Sequence, residues 1–177
     1  IISNEAVTRR LALVKYMYSV AVRQSQRPEP LSLVSILTFH DAIELFLELS
    51  CRTLNIDTQG VSFMGYWERL HAKLKEIKRE EVTPKASMER LNRARNEFKH
   101  HGIMPSKLEI ERFRSNVASF FEENTLTIFS RDFASISLID MIQCGDAKVS
   151  LREAENMLAK EKLSEALEKI AIAFRQV

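Results

Sequence analysis

The chain has 177 residues, 45% of them hydrophobic and 28% charged, with a formal net charge of +2. That length buries one sizeable core with room for a small appended element. Two distant cysteines, Cys51 and Cys144, argue against a disulfide framework and for a reducing, cytoplasmic setting. The richest apolar run is interrupted by His40, Asp41, Glu44 and Glu48, too often for a membrane span, and no secretory signal pattern opens the chain.

Only four Gly and four Pro punctuate the sequence, and long unbroken segments between them favour helices over strands. The chain is therefore expected to be all-α. From Asn4 to Arg27, apolar residues at Val7, Leu11, Val14, Tyr18 and Val22 recur at helical spacing, and "RPEP" closes the segment. Leu31 to Leu54 is apolar around most of its circumference, which places it centrally among neighbours. Ser62 to Val82 opens on Phe63, Tyr66 and Trp67, read as core, and becomes strongly charged through "KLKEIKREE". Thr83 reads as an N-cap with Pro84 at the first helical position, opening a helix that Gly102 ends. Ser106 and Glu109 have capping-box spacing before a helix carrying Phe113, Val117, Phe120 and Phe121. These make a bundle of about five helices over residues 1–137.

Residues 138–177 form a separate C-terminal helical hairpin. Ser150 and Glu153 suggest a second capping box. Ala154, Leu163, Ala166, Ile170 and Ala173 lie at spacings similar to a single tetratricopeptide repeat, although Ser150 stands where a large aromatic belongs and Glu161 where the turn residue is small. One repeat cannot bury its own face, so the hairpin either packs on the main domain, begins a longer array or recruits a partner. A first residue other than Met and an end inside a helical pattern carry the expectation of a longer protein.

The stretch "RLNRARNEFKHHG" from Arg90 to Gly102 concentrates basic, imidazole and amide side chains. At about 100° per residue, Leu91, Ala94 and Phe98 form the core-facing stripe. With Arg95 at zero, Lys99 falls at about 40°, Asn96 at about 100° and His100 at about 140°, all on the polar arc. His101 falls near the apolar edge and is expected to pack or cap. From His71 to Arg114 there are 12 Lys/Arg against 7 Asp/Glu, a local net charge of +5 suited to a phosphate backbone.

Arg95, Asn96, Lys99, His100 and Gly102 together resemble the R-N-x-x-K-H-x-G motif of the HEPN family of helical domains, and the resemblance covers residues 1–137. It implies a metal-independent ribonuclease, in many cases a toxin or an antiviral defence component, in which two protomers pair their motif helices across one cleft. RNA cleavage by its own 2′-hydroxyl needs a base, an acid and positive charge on the phosphorane. Imidazole titrates near neutrality and guanidinium matches phosphate oxygens. The resemblance thus casts Arg95, His100 and Asn96 as catalytic, with Lys99, Arg93 and His101 as binding residues. It implies no metal and no cofactor. The partners it implies are RNA, a second copy of the chain, and an antitoxin or other protein engaged through the hairpin. The alternative is a non-catalytic dimeric module of the same fold that binds nucleotide or protein.

His40, Glu44 and Glu48 share one helical face, but without H-E-x-x-H or a Cys/His cluster they are read as interhelical, with Glu44 or Asp41 pairing to Arg95. His71 has no evident partner, and Cys51 reads as core.

Overall fold

The computed structural model describes residues 2–176, which contain seven α-helices, one 3-10 turn and no strand. The chain divides into two compact units, residues 1–136 and 137–177.

In the first unit, α1 spans Asn4–Ser25, α2 Leu31–Thr53, α3 Gly65–Glu76, α4 Lys85–His101 and α5 Lys107–Phe129. Helix α2 is the centre, packed by α1, α3, α4 and α5, as its apolar circumference predicts. Ile36, Phe39, Ile43, Phe46 and Leu47 of α2 are fully buried. Around them Phe46 meets Phe120, Phe121 and Phe129 edge-on at 5.3–5.5 Å, and Trp67 meets Phe120 at 5.9 Å. Phe63, Tyr66 and Trp67 are core residues. Past α5, Phe133 stacks on Phe121 at 4.8 Å, and Lys15 holds the carbonyls of Ala134 and Ile136 at 2.6 Å. This segment is thereby drawn back onto α1.

Helix boundaries in this unit depart from the sequence reading at both ends of α3 and at the start of α4. Helix α3 begins at Gly65 and stops at Glu76, short of Val82, because Lys78 turns into the left-handed region at φ 56°. The turn lets the Arg79 guanidinium donate to the Thr127 and Ile128 carbonyls at 3.1 and 3.0 Å, where the negative end of α5 favours a cation. Pro84, not Thr83, occupies the N-cap position of α4. Thr83 is held elsewhere: its hydroxyl donates to Glu123 at 2.8 Å, and its backbone N–H donates to the buried Asn124 Oδ1 at 3.1 Å. The Ser106–Glu109 capping box forms, with Glu109 accepting from the Ser106 N–H at 2.8 Å.

The second unit contains the 3-10 turn Leu138–Met141, α6 over Gly145–Leu158 and α7 over Leu163–Arg175. Helices α6 and α7 pack as a hairpin through small buried residues, Ala147, Ser150 and Ala154 against Ala166 and Ala173. Ser150 does not cap. Helix α6 starts five residues earlier, and the Ser150 hydroxyl, inside the helix, donates to Gln176 Oε1 at 2.9 Å. Glu161 makes the turn at φ 59°, a conformation that costs a residue with a Cβ about 1–2 kcal/mol. Among the described residues no helix is long and apolar enough to cross a membrane.

Candidate functional site

Helix α4 is held from two sides, by α2 and by α5. Met88 and Leu91 are fully buried, while Ala94 and Phe98 are half-buried. The helix ends at Gly102, whose φ of 68° is the left-handed conformation glycine adopts freely. The Gly102 and Ile103 N–H groups then close on the Phe98 and Glu97 carbonyls, each at 3.2 Å. This stop leaves the last turn of α4, with His100 and His101, exposed.

Along that face runs a groove of about 630 Å³ lined by two neighbouring helical rows, Asn92, Asn96 and His100 in one and Glu89, Arg93, Glu97 and His101 in the other, with Met64 at its side. The groove therefore brings together His100, Asn96, Arg93 and His101. His101 is exposed and has no hydrogen-bond partner among the described residues, so it neither packs nor caps. Lys99 is exposed and does not line the groove. Arg93 and Glu97 also line a second cavity of about 530 Å³ between α4 and α5, where Arg90 and Arg112 converge. Its lining sets three arginines, Arg90, Arg93 and Arg112, against Glu97 and Glu109.

Arg95 lies outside the groove lining. It is half-buried, its Nη1 donates to Asn96 Oδ1 at 3.0 Å, and its buried Nε has no hydrogen-bond partner. Neither Asp41 nor Glu44 pairs with it, contrary to the sequence reading. The single stripe assumed there gives α4 one covered face, whereas packing on both α2 and α5 covers two and takes Arg95 into one of them. The contact takes up Asn96 Oδ1 and leaves the Asn96 NH₂ group without a hydrogen-bond partner among the described residues.

A second link runs from α2. His40, 3% exposed, places Nε2 at 3.0 Å from Asn92 Oδ1. An amide oxygen only accepts, so in the neutral ring Nε2 carries the proton and Nδ1 is a lone pair. The ring is stacked on Phe63 at 4.2 Å and 23°. Burial holds the His40 imidazole below its ordinary range. The Asn92 hydrogen bond opposes that shift, the Arg95 charge adds to it, and Glu44 and Asp41 oppose it. His40 is thus interhelical, as the sequence reading has it, while Glu48 turns away to bind Arg52 Nε at 2.6 Å.

Asn92, Glu89, Glu97 and Met64 escape the motif-based reading. The four-residue spacing of Asn92, Asn96 and His100 was a usable signal, since such a row shares one helix face. His71, read as unpartnered, donates from Nε2 to the Val82 carbonyl at 3.3 Å. Burial pushes the Cys51 thiol up to about 12, in keeping with a core residue. No family model, no curated protein and no solved structure matches the chain.

Proposed function

We propose that this protein is a metal-independent ribonuclease of the HEPN type, acting at the groove on α4. The observation that carries the reading is the convergence of His100 and Asn96 in one groove with Arg93 and His101 beside them. An imidazole there takes the proton of an RNA 2′-hydroxyl. The 2′-oxygen bonds to phosphorus, the bond from phosphorus to the 5′-oxygen breaks, and that oxygen receives a proton from a second imidazolium. The products are a 2′,3′-cyclic phosphate and a free 5′-hydroxyl. Asn96 presents its NH₂ to a phosphate oxygen, held in that orientation by Arg95, and Arg93 adds positive charge. Arg95 acts in this scheme as a positioning residue.

Pairing of two chains about a twofold axis would supply the second imidazole symmetrically. Ile103, Met104 and Leu108, which directly follow the motif helix, are 56%, 68% and 56% exposed and offer apolar surface for that contact. A toxin or defence role, with a protein partner on the C-terminal hairpin, belongs to the same proposal.

One observation favours a second reading, a non-catalytic nucleotide-binding module: the Arg95 guanidinium is engaged by Asn96 and absent from the groove lining. The deciding experiment compares RNA cleavage and RNA binding by the wild type and by His100→Ala. Cleavage lost with binding retained supports the ribonuclease. Binding by the wild type without any cleavage supports the module.

A further inference from the structure

On α2, outside the residues that line the groove, His40, Asp41 and Glu44 bring one nitrogen and two carboxylate oxygens within 4.8 Å of one another. His40 Nδ1 lies 3.7 Å from Asp41 Oδ1 and 3.9 Å from Glu44 Oε2. In the neutral tautomer that Asn92 selects, all three atoms are electron-pair donors. Nδ1 is fully buried and has no hydrogen-bond partner. It is aimed at two carboxylates that make no other hydrogen bond or ion pair among the described residues. Three unshielded lone pairs converging on one point are electrostatically unfavourable unless a cation sits between them.

We propose that His40 Nδ1, Asp41 and Glu44 form a binding site for one divalent transition-metal ion of the zinc type.

The surroundings of His40 match what such a ligand needs. A metal-binding imidazole usually donates its other N–H to a fixed acceptor, which sets the tautomer and the ring plane. Here Asn92 Oδ1 is that acceptor at 3.0 Å, and Phe63 clamps the ring face. Ligand atoms around a tetrahedral zinc lie about 3.4 Å apart, given bonds of about 2.0–2.2 Å. The present separations exceed that by a few tenths of an ångström from Nδ1. The buried imidazole is the fixed member, and the side chains of Asp41 and Glu44, 54% and 44% exposed, are the movable ones. Two carboxylates neutralise the ion, so the occupied site carries no net charge beside the nearby Arg95. Three protein ligands leave the fourth position to solvent, on the exposed side of α2. One imidazole with two carboxylates suits zinc, cobalt or manganese better than magnesium or calcium, which prefer all-oxygen shells. The site is separate from the proposed cleavage chemistry, which routes no step through it, and its occupancy would stiffen the His40–Asn92 contact between α2 and α4.

The test uses the full chain stripped with a chelator and titrated with Zn²⁺ alone by calorimetry, and with Co²⁺ alone by visible absorption. One ion per chain, a rise in melting temperature, and cobalt d–d bands are the expected results. Asp41→Asn and Glu44→Gln, both at exposed positions that leave packing intact, should each weaken Zn²⁺ binding at least about tenfold while the variants stay folded. His40→Gln should abolish the bands. Since His40 is buried, the two carboxylate variants decide the matter if that protein does not fold. Zn²⁺ binding unchanged in the Asp41→Asn/Glu44→Gln double variant, or lost instead in His100→Ala, would place the ion on the exposed histidines and overturn the assignment. Absence of any binding would overturn it as well.

Discussion

His40 on α2 and Asn92 on α4 are joined by one hydrogen bond of 3.0 Å, 52 residues apart in the chain, and Asn92 is also part of the groove that holds His100. The buried imidazole thus orients an amide whose other end meets solvent. Asn92→Ala leaves the buried Nε2–H without an acceptor, at a cost of about 1–3 kcal/mol, read as a lower urea midpoint with unchanged m-value. Asn92→Asp, which retains an acceptor, should recover most of that loss. If both variants match the wild type, the contact contributes nothing to stability.

The two adjacent histidines offer a sharper test. Both are exposed and both line the groove, but His100 falls in the row with Asn96, whose amide is preset by Arg95. His100→Ala should reduce RNA cleavage at least about a hundredfold, the scale of general acid–base contributions. His101→Ala should lower it less than tenfold, a change of under about 1.4 kcal/mol in barrier. Neither should shift the melting temperature appreciably, because neither side chain is packed. A reversed order of the two effects would transfer the proton-transfer role to His101.

What the sequence makes legible follows from what is local. Helix faces arise from spacing along the chain, so Val7, Leu11 and Val14 of α1 and Phe113, Val117 and Phe120 of α5 are buried where periodicity puts them. The Ser106–Glu109 box is complete within four residues, and it forms. Ser150 and Glu153 have the same spacing, but a capping box needs a helix that begins there, and α6 is already under way. Thr83 fails as a cap for another reason: Asn124 and Glu123, about 40 residues on, claim its backbone and hydroxyl. At the candidate site, the 100° arithmetic puts His100 and Asn96 together correctly. It does not reveal that α2 and α5 cover two sides of α4, which is why Arg95 lies against Asn96 and half-buried rather than in the groove. The His40–Asn92 bond and the tautomer it fixes are tertiary facts, invisible to any window of sequence.

The capping box at α5 supplies a prediction in pH. Glu109 is held below the usual carboxylate range, first by the bond from the Ser106 backbone N–H and then by the Ser106 hydroxyl. A carboxyl with a lower folded than unfolded value binds fewer protons when folded, so its stabilisation is full above the ordinary carboxylate range and is lost as pH falls through it. Ser106→Ala should therefore cost about 1 kcal/mol at neutral pH, the usual value of an N-cap. The difference from wild type should narrow below about pH 4, because protonated Glu109 no longer favours the box. Thermal melts of both proteins across pH 3–7 measure it, and a gap independent of pH would remove Glu109 from the account.

The proposed cleavage site makes its strongest demand on assembly. One α4 carries a single Arg95 and a single His100, and the acid and base steps are most simply divided between two imidazoles across a twofold axis. Apolar residues just beyond the motif helix, Ile103, Met104 and Leu108, are more than half exposed, and burying them against a second copy removes that surface from water at about 25 cal/mol per Å². The wild type should sediment as a dimer, and Met104→Glu should shift it toward monomer and lower cleavage together. Because the dimer then needs both imidazoles, His100→Ala chains mixed with wild type should form heterodimers that hold one His100 and cleave at least about tenfold more slowly than the wild-type dimer. Full activity in a monomeric Met104→Glu protein, or heterodimers with half the wild-type activity, would confine catalysis to the groove of a single chain, with His101 as the second imidazole.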